Sequence, residues 1–228
     1  LLLAVAQGLA GVTAIATGAR HACAVAGGRV YCWGANDRGQ VGQEQSERRC
    51  TTLEGAIPCE PVPIRVEGLE DVVSVTAGAA HTCVHTSDNF AVCWGDGRWG
   101  QLGIGETSAM PSAVPQAVLA GTLPLMGVRE VSAGPQHTCA RTDKGYVWCW
   151  GRNDHGELGA DGPTPNPMGC AGSCAVRPAA VDGLIDAPAD AGADVLDGSA
   201  DVLDGSADVL DGSVDVGADA RSDARSDG

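Results

Sequence analysis

The stretch GPQHTCARTDKGYVWCWGRNDHGELG at residues 134–159 decides the fold, because close repeats of it occur twice more. These are GARHACAVAGGRVYCWGANDRGQVG at residues 18–42 and GAAHTCVHTSDNFAVCWGDGRWGQLG at residues 78–103. Each repeat runs from Gly-x-x-His-x-Cys through a short turn to Cys-Trp-Gly and then Gly-x-x-Gly. The repeats begin 60 and 56 residues apart. A unit of that size cannot bury its apolar face alone, so the sequence predicts stacked blades or solenoid turns.

The composition favours an all-β fold. The 228 residues include 33 glycines, one Phe and a single lysine, Lys144, and the apolar residues are mainly Ala, Val and Leu. These features predict short strands with tight turns rather than long helices. No apolar run approaches the 18 residues or so that a membrane span needs.

The negative charge is concentrated in the C-terminal segment. Residues 185–228 hold 12 acidic and 2 basic side chains, whereas residues 1–184 hold 17 and 12. Without a basic stripe to neutralise phosphates, nucleic-acid binding is disfavoured. The segment repeats Ala-Asp-Val-Leu-Asp-Gly-Ser from residues 193, 200 and 207. A glycine in every seven-residue repeat disfavours a coiled coil. The spacing of the aspartates also lacks the closing Glu of an EF-hand calcium loop. We therefore expect a disordered low-complexity tail.

Six of the ten cysteines flank the turns inside the repeats. The turns are Gly27-Gly28, Ser87-Asp88-Asn89 and Asp143-Lys144-Gly145, which suit tight hairpins with a left-handed residue. Counting outward from each turn places two cysteines directly opposite each other, at a separation that a disulfide can span. The three predicted pairs are Cys23 with Cys32, Cys83 with Cys93, and Cys139 with Cys149.

The remaining four cysteines also have local partners, Cys50 with Cys59 and Cys170 with Cys174. An even count with a partner for each favours disulfides in an oxidising compartment. Two alternatives stay open, reduced thiols buried in a cytosolic chain, and metal ligation by the His-x-Cys of each repeat. Metal ligation is disfavoured because Cys-x2-Cys spacing is absent, so we expect neither a metal nor a cofactor.

Histidine and tryptophan recur once per repeat and are predicted to be structural. An enzyme needs one base in one place, whereas a repeated imidazole can bond a neighbouring backbone in every unit. A large ring followed by glycine suits packing between units. The residues are His21, His81, His137, Trp33, Trp94 and Trp150.

No catalytic residue emerges from the motifs, and we expect no enzyme activity. Residues 95–100, GDGRWG, match the dinucleotide-binding pattern, but they lead into Gln-Leu-Gly rather than a helix, and the other repeats lack the middle glycine. Nucleophile-elbow, Walker and zinc-protease motifs are absent from the sequence.

The repeat region is predicted to occupy residues 1–184, with cores at 18–42, 78–103 and 134–159, and the tail residues 185–228. Residues 7–12 align with residues 67–72, the segment that precedes the second repeat. This match favours the start of a repeat unit at the N-terminus. The alternative is that residues 1–6 are the end of a secretory signal. Residues 181–184 repeat the same segment just before the tail.

The Gly-x-x-His-Thr-Cys, Cys-Trp-Gly and Asn-Asp-x-Gly pattern resembles the regulator of chromosome condensation repeat family over about residues 5–184. The resemblance implies β-propeller blades of four antiparallel strands, and three repeats form only an incomplete, open propeller. Known members act by binding proteins. They include nucleotide exchange factors for a small GTPase and secreted bacterial inhibitors of β-lactamase.

These observations predict a non-enzymatic protein-binding module that is extracellular, at the cell surface or in the periplasm. The alternatives are a cytoplasmic regulator of a small GTPase, similar to an exchange factor, and a structural surface protein. The connections between repeats vary in length, so we expect partner contacts in residues 44–63, including Arg48 and Arg49, and in residues 105–124. The unclosed propeller ends are a further expected site of association.

Overall fold

The three repeats fold into three antiparallel sheets, here called blades 1, 2 and 3, in a computed structural model that describes residues 8–44, 46–159 and 173–181. Blade 1 contains β1 (Val12–Thr17), β2 (His21–Ala26), β3 (Arg29–Ala35) and β5 (Gly55–Arg65), with β4 (Arg49–Thr52) on the outer edge of β5. Blade 2 contains β6 (Val72–Ala77), β7 (His81–Thr86), β8 (Ala91–Gly97) and β9 (Ser108–Ala117). Blade 3 contains β12 (Val128–Ala133), β13 (His137–Thr142), β14 (Val147–Arg152) and β15 (Cys174–Ala180). A two-stranded hairpin, β10 (Leu119–Ala120) and β11 (Leu123–Pro124), lies between blades 2 and 3 in sequence, and the described residues contain no helix.

The hairpin turns have the predicted backbone conformations. Gly27 and Gly28 both have positive φ, 58° and 73°, as a two-residue turn of the I′ type requires. Asn89, at φ 65°, and Gly145, at φ 84°, take the left-handed position of the three-residue turns. The resulting registers place Cys23 opposite Cys32, Cys83 opposite Cys93, and Cys139 opposite Cys149.

Four disulfides join described cysteines, one inside the hairpin of each blade and one in blade 1 between β4 and β5. The pairs are Cys23–Cys32, Cys83–Cys93, Cys139–Cys149 and Cys50–Cys59. Cys174 is also disulfide-bonded, whereas its expected partner Cys170 lies outside the described residues. The acidic segment 185–228 lies outside them as well.

The blades stand side by side through their first strands, because β6 contacts both β1 and β12. Each junction buries an apolar cluster contributed by two blades. Between blades 1 and 2, Trp94 and Val72 pack with Cys23, Cys32 and other apolar residues of blade 1. Between blades 2 and 3 the equivalent cluster joins Trp150 and Val128 to Cys83 and Cys93. The Cys23–Cys32 and Cys83–Cys93 disulfides therefore belong to the core between blades, since a single sheet has no second layer of its own to cover them.

Hydrogen bonds at each junction converge on one backbone carbonyl. At the first junction the Gln40 carbonyl accepts from the Thr82 hydroxyl at 2.9 Å and from the Trp94 indole N–H at 3.0 Å. At the second junction the Gln101 carbonyl accepts from Thr138 at 3.0 Å and from Trp150 at 2.9 Å. The two junctions therefore use the same three groups in the same roles.

A histidine completes each junction from the preceding blade. His21 Nε2 lies 2.9 Å from Thr82 Oγ1, and His81 Nε2 lies 3.0 Å from Thr138 Oγ1. Each threonine already donates its hydroxyl proton to a carbonyl, so it must accept from the imidazole. Each ring is therefore neutral with its proton on Nε2, and the buried Nδ1 atoms of His21 and His81 have no hydrogen-bond partner.

Burial lowers the pKa of His21 to about 4 and that of His81 to about 3. A proton added to Nδ1 would create a charged donor with no acceptor in a site that excludes water. The glycine three residues earlier makes room for the ring. A Cβ on Gly78 would lie 2.2 Å from Cε1 of His81 and 2.5 Å from the Gly134 carbonyl oxygen of the next blade.

The glycine of each Cys-Trp-Gly lets the third strand pass close to the turn before β2, β7 or β13. Gly95 has φ 107°, and a Cβ there would lie 2.6 Å from the Ala80 carbonyl oxygen. The ladder between β8 and β9 is irregular on both sides of this glycine. Gly34 and Gly151 have the same conformation, with φ of 105° and 107°.

We expect Gly95→Ala to lower the free energy of unfolding by about 3 kcal/mol or more. Alanine rarely adopts the backbone conformation of this position, and its Cβ would also clash with the Ala80 carbonyl oxygen. Gly68→Ala is the matched control, since Gly68 also has positive φ, at 79°, but nothing lies within 4 Å of its Cβ position. The control should lose about 1 kcal/mol from backbone strain alone. Denaturant unfolding with disulfides intact measures both, and equal losses would contradict the role given to the close approach.

Stability should fall as the pH drops, because the histidines stay neutral in the folded state. Their folded pKa values lie below the unfolded value of about 6.5, so the unfolded chain binds more protons between about pH 4 and pH 6.5. The stabilisation is complete above about pH 7, and at pH 5 the free energy of unfolding is lower by about 2 kcal/mol for each of His21 and His81. Denaturant unfolding at pH 8 and pH 5 measures the difference. His81→Gln should reduce the pH dependence relative to the wild-type chain, and an unchanged slope in His81→Gln would refute the assignment.

Candidate protein-binding surface

The longest variable connection forms a hairpin that projects from blade 1. Strand β5 pairs through its first residues with β4 and through its later residues with β3, so one strand belongs to both the hairpin and the blade. Thr52 pairs with Gly55, which leaves Leu53 and Glu54 as a two-residue turn. Blades 2 and 3 have no fifth strand among their described residues. The hairpin is therefore an addition to the shared blade architecture.

Asn36 and the Cys50–Cys59 disulfide hold the base of this hairpin. The backbone N–H of Asn36 donates to the Pro58 carbonyl at 2.8 Å. Its side-chain amide donates to the Gln43 carbonyl at 2.8 Å and to the Ser46 hydroxyl at 2.7 Å. The Cys59 N–H donates to the Arg48 carbonyl at 3.2 Å. These bonds fix the hairpin to the blade, so little conformational entropy remains to be lost on binding.

The hairpin presents an apolar apex and two arginines. Leu53 is fully exposed at the turn. Arg48 and Arg49 are both exposed, and the Arg49 guanidinium donates to the Ala56 carbonyl across the hairpin at 3.3 Å. Arg48 borders a groove of about 300 Å³ whose other lining residues are Glu47, Glu60, Val62 and Ile64. Arg49 thus supports the hairpin, whereas Arg48 faces a concave surface.

The two variable connections meet at the junction of blades 1 and 2. A second groove, of about 570 Å³, lies between them, and its lining is Gly42, Gln43, Glu44, Glu67, Gly68, Ala113, Val114 and Pro115. A Cβ on Gly39 would lie 2.9 Å from the Ala113 backbone nitrogen, so β9 packs directly on the turn of blade 1. Val114 is about half exposed at this groove. Residues 44–63 and 105–124 are thus not simple loops, because each contains a fourth strand of its blade.

The surface combines apolar and charged side chains without a catalytic constellation. Glu44 and Glu67 are exposed carboxylates on the second groove, and Val114 is part of the same lining. Among the described residues no group of three or more His, Cys, Asp or Glu side chains is placed to hold a metal ion. Residues 95–97 end strand β8 and turns follow, so the dinucleotide-like motif does not open a helix. Nothing in the part of the chain that the structure describes forms a helix long and apolar enough to cross a membrane.

The recurring histidines and tryptophans lie away from this surface. His81, Trp94 and Trp150 are fully buried between blades, and His21 is nearly so. His137 and Trp33 occupy the equivalent positions on the two outer blade faces and are partly exposed. Sequence reasoning missed Thr82, Thr138, Gln40 and Gln101 as the partners of these rings. The sequence did contain a signal for the threonines, because a threonine directly follows the histidine in repeats 2 and 3. In repeat 1 this position is Ala22.

Two models of the regulator of chromosome condensation (RCC1) repeat match the chain, one at residues 27–85 and 93–141 and the other at residues 12–40 and 128–157. The ultraviolet-B receptor UVR8 of Arabidopsis thaliana is 34% identical over 152 residues, which are 65% of this chain and 31% of the receptor. The human E3 ubiquitin-protein ligase HERC2 is 33% identical over 157 residues, 67% of this chain but 3% of the ligase. The chain thus spans less than a third of the length of these relatives.

Solved structures show the same fold. Yeast RCC1 (Prp20), in its complex with Kap60, superposes with a TM-score of 0.61 at 23% identity, over 76% of this chain and 38% of Prp20. A second structure of the Saccharomyces cerevisiae protein, described together with its binding to Gsp1p and histones, gives a TM-score of 0.59. With matched repeats across all three blades, the chain belongs to the regulator of chromosome condensation repeat family.

Proposed function

We propose that this chain is a non-enzymatic protein-binding module, and that its partner docks on the β4–β5 hairpin and the groove between blades 1 and 2. The observation that supports this most directly is that Glu44 of one variable connection and Ala113, Val114 and Pro115 of the other line the same groove. The repeated parts of the chain are occupied in holding blades together. The inserted parts are left to present side chains to a partner.

The side chains at this surface define the chemistry of a suitable partner. Leu53 at the apex and Val114 at the groove are exposed apolar residues that a partner can bury. Glu44 and Glu67 favour basic groups beside an apolar patch, and Arg48 favours a carboxylate near the hairpin. The disulfide at the hairpin base keeps this arrangement in place before binding.

We further propose that the module works in an oxidising compartment, outside the cell, at its surface or in the periplasm. Four disulfides with both cysteines described, and a fifth at Cys174, support this location because thiols are kept reduced in the cytosol. A cytoplasmic regulator of a small GTPase would need the same blades to fold with reduced cysteines. A structural surface protein would have the disulfides but no selective partner at the groove.

Intact mass after thiol alkylation distinguishes the oxidised chain from the reduced one. The chain purified from its native source should take up no alkylating groups under denaturing conditions without reductant. All ten cysteines should be alkylated once reductant is added. Ten free thiols before any reductant is added would refute the oxidising location and favour the alternative of a cytoplasmic GTPase regulator.

Affinity capture with charge-inserting variants tests the binding surface. We expect the full chain to retain a protein from extracts of its source cells, and the double variant Leu53→Asp/Val114→Asp to bind it at least about 100-fold more weakly. Met126→Asp is the matched control, because Met126 is also exposed but lies outside the hairpin and the groove. The surface assignment fails if the bound protein is retained equally by all three, and the binding function fails if the wild-type chain retains nothing selectively.

A further inference from the structure

Strand β4 forms the outermost edge of blade 1, and no described strand pairs with its outer side. It lies at the far end of the sheet from β1, the strand that contacts β6 of blade 2. The described blades stack through the faces of their sheets, where the apolar clusters lie. A blade stacked on the other face of blade 1 would therefore leave the edge of β4 open.

The hydrogen-bond register shows which backbone groups point outward from this edge. The Cys59 N–H donates to the Arg48 carbonyl, so these two residues form a hydrogen-bonded pair of the ladder between β4 and β5. Bonded and non-bonded pairs alternate in an antiparallel ladder, which places Arg49 and Thr51 in non-bonded pairs. Pro58 stands opposite Arg49 and suits such a pair, because it has no N–H to donate. The N–H and C=O groups of Arg49 and Thr51 therefore face away from β5, and both residues are exposed.

Prolines protect the outermost strands of the other described blades against added strands, whereas β4 has none. Strand β9 contains Pro111 and Pro115, and β15 contains Pro178. Proline in an edge strand removes a donor N–H and so disfavours pairing with another chain. The part of β5 that extends beyond β4 contains Pro61 and Pro63. Strand β4 also pairs with β5 without a bulge, so its outer edge is regular enough to accept a further strand.

Two arginines beside this edge lack a carboxylate partner among the described residues. Arg48 and Arg49 are exposed, and neither forms an ion pair there. The Arg49 guanidinium donates to the Ala56 carbonyl, so it lies over β5 rather than across the open edge. Successive residues of an extended chain point to opposite faces. An added strand therefore needs carboxylates at two successive positions to meet both arginines.

We propose that the edge of β4 accepts an extended, proline-free segment of a partner protein as a further antiparallel strand, with carboxylates opposite Arg48 and Arg49. The segment bonds the outward N–H and C=O groups of Arg49 and Thr51. Antiparallel pairing continues the pattern of every ladder in blade 1. The Cys50–Cys59 disulfide holds the edge in place before binding. This inference rests on the proposed function, because it names the kind of partner that the hairpin binds.

The groove beside the hairpin limits how acidic the segment can be. Beyond Arg48 the segment reaches the groove of about 300 Å³, where Val62 is about half exposed and can contact an apolar side chain. Glu47 and Glu60 also line this groove, and they disfavour a third carboxylate there. The preferred segment thus has two carboxylates followed by an apolar residue.

A second copy of the chain fits this edge less well than such a segment. Pairing of β4 with β4 of another molecule would bring Arg48 and Arg49 of both chains into one short ladder. Like charges in a ladder are destabilising, and neither pair of arginines would gain a carboxylate. The charge at the edge therefore favours a different, acidic chain.

NMR titration of the isotope-labelled full chain with a synthetic peptide tests this inference. The probe is acetyl-Gly-Val-Thr-Val-Glu-Glu-Val-Gly-amide, whose glutamates come opposite Arg49 and Arg48 in antiparallel register. We expect the amide signals of Arg49 and Thr51 to shift and saturate. Exchange of these two amide protons with solvent should slow at least about tenfold at saturation. A probe with proline in place of its threonine, and one with lysines in place of its glutamates, should each bind at least about tenfold more weakly.

Variants of the chain separate the backbone contribution from the charge contribution. Thr51→Pro removes an outward N–H that β5 does not use, and it should weaken binding of the probe at least about tenfold. Thr51→Val is the matched control, because it keeps the N–H and should bind as the wild-type chain does. Arg48→Glu should bind the glutamate probe about tenfold more weakly and the lysine probe more tightly. Arg177→Glu, at an exposed arginine of blade 3, should change neither affinity.

Three results would overturn the inference. They are a probe that leaves both amides unaffected, equal binding by Thr51→Pro and Thr51→Val, and slow exchange of both amides before any probe is added. The last result would show that another part of the chain or a second copy already covers the edge. If Thr51→Pro disrupts the hairpin, Arg48→Glu decides, because a probe that it binds with unchanged affinity does not lie along β4.

Partner capture distinguishes failure of this inference from failure of the proposed function. If Leu53→Asp/Val114→Asp loses the captured protein while Thr51→Pro retains it, the docking surface stands and strand addition is refuted. If the wild-type chain captures nothing selectively but binds the probe at β4, the proposed function is refuted and the strand site stands.

Discussion

The carbonyl oxygens of Gln40 and Gln101 are the points at which neighbouring blades are joined, and the rest of the architecture depends on them. Each accepts a hydroxyl and an indole N–H from the next blade, at distances of 2.9 to 3.0 Å. A backbone carbonyl buried between two sheets must be paired, and here two donors meet it in an apolar surrounding of disulfide and valine. The geometry of the junction is therefore fixed by the directions of these hydrogen bonds as well as by apolar burial. Three sheets that could not be stable singly are joined through two apolar clusters, one at each junction.

The repeated motif is best understood as the chemistry of this junction. Histidine donates to the threonine, tryptophan donates to the carbonyl, and the paired cysteines line the apolar cluster between them. The glycines are needed for space, since a Cβ on Gly78 would strike the His81 ring and one on Gly95 would strike the Ala80 carbonyl. Because these residues are committed to packing, the largest differences in length between the three repeats lie in the fourth strands and their connections. That division explains why the candidate binding surface lies on inserts rather than on the motif.

Local features of the sequence were enough to predict the three hairpins and their cysteine registers, whereas the four-stranded blades followed from the family resemblance. The Gly27-Gly28, Asn89 and Gly145 turns each fix a hairpin, and the opposed cysteines follow by counting because pairing in a ladder is regular. The role of Gln40 could not be found in this way, since its carbonyl is common to all residues and its donors lie 42 and 54 positions away. The same limit applies to the groove, where Glu44 and Val114 meet only through the packing of two blades.

The outer blades differ from the middle one in how fully they are buried, and this difference has consequences for stability. Among the described residues, β1 exposes Ile15 and Val12. Blade 2 has both faces covered, and its Trp94 and His81 are fully enclosed. We therefore expect its strands to be the last of the described strands to open. Cooperativity among the three described blades thus runs outward from blade 2, through the two junctions that enclose its tryptophan and histidine.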